Sequence, residues 1–170
     1  MELWDVYDKN KKKTGKIIDR HSDERLNEGE YHLAVEAIII NENKILISRR
    51  ANFKNNYRLL WECTGGSVKS GEKSIDGILR ELNEELGLKF NKEEAILYKT
   101  LRNDDSKVFK DIWLFNKKID INDIYFRDHE VIDVKWATID EIEKMRKNKM
   151  LTPNFKIDKI EFNNILKLIN

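Results

Sequence analysis

TGGSVKSGEKSIDGILRELNEELGL, residues 64–88, joins a glycine-rich segment to a segment of helical periodicity. Three glycines between Thr64 and Glu72 predict an irregular loop there. From Ser74 to Leu86 the apolar residues Ile75, Ile78, Leu79, Leu82 and Leu86 recur at helical spacing. At about 100° per residue, these five fall within about 60° of one line. Glu81, Glu84 and Glu85 fall at roughly 240°, 180° and 280° by the same geometry. They stand at i, i+3 and i+4, so their carboxylates are close neighbours and repel one another. Arg80 and Lys89 offset part of that repulsion. A divalent cation would remove it, and Mg²⁺ favours oxygen ligands of this kind. Gly77 lies on the acidic side one turn earlier, where a missing side chain lets a loop or ligand approach.

On either side, the pattern alternates between strands and helices. Leu3–Tyr7 and Lys16–Asp19 read as two strands of an N-terminal hairpin at about residues 1–20, with the lysines at 11–13 at its solvated tip. HLAVEAIII (32–40) and KILISRR (44–50) read as a second hairpin, turned by Asn41–Asn43. Residues 95–101, 108–115 and 131–137 read as further strands. Thr138 with Glu141, and Asp158 with Glu161, have the spacing that opens a helix. The expected class is α/β (α+β): a mixed sheet sandwiched between helices, in one domain over 1–170.

The composition narrows the function. Net charge is +1, from 32 basic and 31 acidic residues, which gives no expectation of nucleic-acid or membrane binding. No apolar run approaches the roughly 18 residues of a membrane span. The polar start MELWDVYDKN does not resemble a signal peptide. The single cysteine, Cys63, fits a reducing, cytoplasmic setting. The expected partner is a small molecule, with the protein a monomer or homodimer.

The loop and helix together resemble the Nudix box: Gly66, five residues, Glu72, seven residues, then Arg80-Glu81-Leu82-Asn83-Glu84-Glu85-Leu86-Gly87-Leu88. The resemblance to the Nudix hydrolase superfamily implies the Nudix fold and a Mg²⁺-dependent (or Mn²⁺-dependent) pyrophosphohydrolase. It implies Glu84 and Glu85 as principal metal ligands, Glu81 as ligand or general base, and the Gly65 carbonyl as a backbone ligand. Glu72 and Arg80 would tie loop to helix, and Gly87 would end the helix in the left-handed conformation. Glu130, six residues before Trp136, is a second candidate for the base. Asp128, Asp104 and Asp105 rank below it. Arg49 or Arg50, with Gly66, would contact the diphosphate of a nucleoside diphosphate-X type or related substrate.

WDVYD, GEYHLAV, LISRRA and LWE resemble the branch that contains isopentenyl-diphosphate isomerase and its hydrolase relatives. In the isomerases a Cys-Gly-His-Pro segment supplies the nucleophile and a metal histidine. Here those positions are Gly65 and Ser67, and the histidine seven residues before His32 is Arg25. Hydrolysis is therefore the expected activity. The alternatives are the isomerase reaction and a Nudix ligand-binding module without turnover. His32 is expected to be a packed strand residue, and Cys63 an inert thiol.

Overall fold

Every expected strand forms in the computed structural model, which describes residues 2–54 and 56–169. Met1, Asn55 and Asn170, which the 1–170 assignment includes, lie outside the described residues. The strands are β1 (Leu3–Tyr7), β2 (Lys13–Asp19), β3 (His32–Asn41), β4 (Lys44–Arg50), β5 (Trp61–Glu62), β6 (Gly65–Ser67), β7 (Ala95–Asn103), β8 (Val108–Asn116) and β9 (Val131–Thr138). The helices are α1 (Ser74–Leu86), α2 (Ile139–Lys147) and α3 (Lys159–Ile169). β1 and β2 form a two-stranded sheet. The larger sheet has the order β5-β4-β3-β8-β7, with β6 on β3 and β9 on β4. A parallel bridge between Trp61 and Leu151 makes the pairing mixed, and the fold is α+β. No helix among the described residues is long and apolar enough to cross a membrane.

By density of contacts the chain divides into two compact units. The first holds the residues up to Ala37, Gly65–Glu81 and Lys89–Leu114. Its core includes Val6, Leu33, Val35, Val68, Ile78 and Leu114. The second holds Ile38–Thr64, Leu82–Leu88 and the residues from Phe115 on. Ile38, Ile39 and Ile40 are all buried there, so this end of β3 is covered on both faces.

Local chemistry accounts for the ends of the helices. The Thr138 hydroxyl accepts from the Glu141 amide while the Glu141 carboxylate accepts from the Thr138 amide, a closed capping box. Asp158 accepts from the Glu161 amide in the same way. At the end of α1, Gly87 has φ 68, and the Gly87 and Leu88 amides donate to the Asn83 and Leu82 carbonyls.

Two sequence expectations are corrected. Residues 64–72 are not wholly irregular, because Gly65–Ser67 pairs antiparallel with Glu36, Val35 and Ala34 of β3. The lysines of the first hairpin are not merely solvated. Lys11 pairs with the buried Asp111, and Lys13 Nζ lies 2.5 Å from Asp5.

His32 opens β3 with its ring stacked on Trp4, centroids 4.2 Å apart and planes 12° from parallel. Its Nδ1 is buried without a hydrogen-bond partner. Burial holds its pKa down to about 4, against the opposing effect of a hydrogen bond to the Lys107 backbone. The unfolded chain, with a histidine pKa of about 6.5, therefore takes up this proton first as pH falls. The stability this imidazole contributes is complete above pH 6.5 and is lost as pH falls towards 4. Wild type should lose about 2–3 kcal/mol more than His32→Phe between pH 7 and pH 4, measured by urea unfolding. Parallel pH dependences of the two proteins would refute this.

Candidate active site

A close approach of backbone to side chain shapes the glycine segment. A Cβ on Gly65 would stand 2.2 Å from the Val35 carbonyl oxygen of β3. A Cβ on Gly66 would stand 2.3 Å from the carboxyl carbon of Glu81. Only glycine at 65 and 66 leaves room for the strand pairing and the carboxylate together. Gly77 plays a lesser part, since the side chain of Val68 occupies the space beside it. The loop is thus one of the visitors expected there.

Arg80 organises the group around Glu81. Its Nε donates to Glu72 Oε1 at 2.8 Å and its Nη2 to Glu72 Oε2 at 3.0 Å, a bidentate pair. Nη2 also donates to the Ser67 carbonyl at 2.8 Å, and Nη1 to Glu81 Oε1 at 2.7 Å. One guanidinium therefore spans β6, the end of the loop and the acidic face of α1. Partial burial works to raise the Glu72 pKa, but the hydrogen bonds from Arg80 and from the Lys69 amide prevail and lower it.

The second group of acids is Glu85, Asp128 and Glu130, whose nearest ligand atoms lie within 4.8 Å of one another. Glu85 is buried, 8% exposed, on the last turn of α1. Asp128 and Glu130 come from the loop before β9. Asp128 accepts from the Glu130 amide at 3.0 Å, and the Glu130 carbonyl accepts from Ala51 at 2.8 Å. The Asp128 residue reaches solvent, yet partial desolvation and then the Glu130 charge hold its carboxyl above the ordinary range. Lys54 pairs with Glu130 and supplies a cation at the edge of the group. Glu84 is half-buried beside Glu85, and Glu81 lies one turn earlier on the same continuous helix.

The other candidates separate clearly. Arg50 is paired with Glu62 at 2.5 Å and donates to the Asn56 carbonyl. Arg49 donates from Nε to the Leu59 carbonyl and forms no ion pair among the described residues. Asp104, in the first unit, accepts from the Tyr31 hydroxyl and pairs with Arg102. Asp105 lines a separate cavity with Trp4 and His32. Cys63 is buried, as is Trp61. Trp113 donates to the Ser74 hydroxyl at the start of α1. Sequence reasoning ranked Asp128 below Glu130 and passed over Lys54. The one signal for Asp128 was its i, i+2 spacing to Glu130 in a loop.

Comparison with known proteins gives concordant findings. The family model described as NUDIX domain matches residues 30–155. An uncharacterized Nudix hydrolase of Listeria monocytogenes is 30% identical over 162 residues, 94% of this chain and 94% of that one. An 8-oxo-dGTP diphosphatase of Buchnera aphidicola is 47% identical over 60 residues, 35% of this chain and 45% of that one. Among solved structures, DR0079 from Deinococcus radiodurans superposes with TM-score 0.74 at 17% identity, covering 89% of this chain and 92% of that chain.

The fit at Gly66 yields a test. In Gly66→Ala the new methyl and the Glu81 carboxyl cannot both keep their places. A crystal structure of the variant should show the carboxyl displaced and its Arg80 contact broken, with a stability loss of roughly 1–3 kcal/mol by thermal melt. An unmoved Glu81 would contradict the argument.

Proposed function

Because the chain belongs to the Nudix hydrolase family, we propose that it hydrolyses a diphosphate linkage in a small molecule of the nucleoside diphosphate-X or a related type. The observation that carries this is the convergence of Glu85, Asp128 and Glu130 from a helix end and a distant loop. The local likeness to a relative named as a diphosphatase supports the same reaction.

The donor set fits Mg²⁺ or Mn²⁺. All ligand atoms are carboxylate oxygens, and oxygens sharing one such ion stand roughly 3–4 Å apart, compatible with the observed separation. Glu84, Glu81 and the Gly65 carbonyl complete the proposed set. When bound, the metal neutralises phosphate charge and lowers the pKa of a coordinated water.

The protein's own groups do the rest. Glu81 or Glu130 accepts the proton of the attacking water, a contribution of about 10²–10⁴-fold for a general base. Arg80 fixes the Glu81 carboxylate in one orientation. Arg49 is the better placed of the two strand-end arginines to meet phosphate, because the Arg50 charge is engaged by Glu62. Gly66, whose missing side chain makes room for the Glu81 carboxyl, would meet the diphosphate through its backbone, and residues 1–170 would act as one functional domain.

The isomerase reading is disfavoured by residues. Its nucleophile position is Gly65, and Cys63, the single cysteine, is buried. Isopentenyl diphosphate should not isomerise, and Cys63→Ser should hydrolyse diphosphates within a few-fold of wild type. Clean isomerisation that is lost in Cys63→Ser would reverse this assignment.

Phosphate release from a panel of nucleoside diphosphate derivatives with Mg²⁺ tests the activity and rules on the module without turnover. Glu85→Gln should fold and lose on the order of 10³-fold or more in rate. Mn²⁺ should raise the melting temperature of wild type relative to EDTA, and raise it much less in Glu85→Gln. Near-wild-type turnover of Glu85→Gln at saturating Mg²⁺ would sink the proposal.

A further inference from the structure

The family match begins at residue 30, so the N-terminal hairpin lies outside it. Yet this hairpin grips the glycine segment inside the match. The Leu3 carbonyl accepts from the Ser70 amide at 2.7 Å. Asp5 Oδ1 accepts from the Ser70 hydroxyl at 2.7 Å, and Oδ2 from the Gly71 amide at 3.0 Å. Lys13 Nζ, from β2, lies 2.5 Å from the same Oδ2. The hairpin is itself secured, because Tyr7 and Tyr31 exchange backbone hydrogen bonds at 2.8 and 2.9 Å, and Lys11 pairs with buried Asp111. Resting on the functional reading above, we propose that Asp5 is a positioning residue for the loop that carries Gly65, Gly66 and Glu72.

The loop needs a hold at this point. Its start is fixed by β6 pairing with β3 and by the Val68 amide on the Leu33 carbonyl. Its end is fixed by Glu72 on Arg80. Between them, Ser70 and Gly71 have the hairpin as their anchor, and two of the three hydrogen bonds it offers them go to one carboxylate, which Lys13 pairs with from β2. Hydrogen bonds to a charged acceptor are roughly twice as strong as neutral ones. The hydrogen bonds and Lys13 also keep the Asp5 carboxyl ionised, lowering its pKa against the effect of partial burial. A loop displaced by about 1 Å can cost on the order of 10²-fold in rate, so a partial release matters to chemistry before it matters to folding.

The test compares Asp5→Ala, Ser70→Ala and their double variant with Thr14→Val, which loosens the hairpin at a bond to the Val6 carbonyl and leaves the loop contacts alone. Expected for Asp5→Ala are a kcat lower on the order of tenfold, a substrate KM within about twofold, and a several-fold higher Mg²⁺ requirement. The double variant should be no worse than Asp5→Ala, since both single changes break the same tie. Amide exchange at 66–72 should quicken in Asp5→Ala and not in Thr14→Val. Unchanged kcat in Asp5→Ala, or an equal loss in Thr14→Val, would overturn the proposal. Should wild type hydrolyse no diphosphate, the functional reading fails separately. Calorimetry with Mn²⁺ alone then decides: several-fold weaker binding in Asp5→Ala supports the positioning role, and equal binding refutes it.

Discussion

The carboxyl group of Glu81 occupies the place where a side chain on residue 66 would begin. That single steric exclusion orders much of what surrounds it. It favours glycine at 66, where the Glu81 side chain would otherwise have to move, and strand pairing against the Val35 backbone demands glycine at 65. A chain that gives up two side chains also gives up their packing, and it loses more backbone entropy on folding. The structure compensates with polar ties: Arg80 across Ser67, Glu72 and Glu81, and the hairpin carboxylate across Ser70 and Gly71. A segment whose apolar side chain is Val68 alone is thereby held by charge-assisted hydrogen bonds where a core would hold other segments.

α1 shows why the two faces of one helix can carry opposite burdens. Ile78, Leu82 and Leu86 are fully buried along one stripe. The acids stand off that stripe, but Glu85 is drawn into a buried position at the last turn. A helix C-terminus disfavours negative charge, and α1 has no basic residue in its last turn. Glu85 therefore carries its carboxylate where the helix dipole does not favour it.

What the sequence made legible was local. The stripe of α1 and the capping pairs at Thr138 and Asp158 act over four residues, and each element formed where its pattern lay. Long-range partners were not legible. Three residues of a glycine-rich run became β6 because β3 offered them an edge, a fact absent from their own composition. Lys11 looked like a solvated tip because its partner Asp111 stands 100 positions away. Lys54 and Glu130, 76 positions apart, were likewise invisible as a pair, and Asp128 had no helical register to place it beside Glu85.

The pairing of Lys54 with Glu130 has a consequence for the electrostatics of this loop. Glu130 meets Glu85 and Asp128 with part of its charge already balanced by an ammonium group, so the mutual repulsion of the three carboxylates is smaller than their formal charges alone would give.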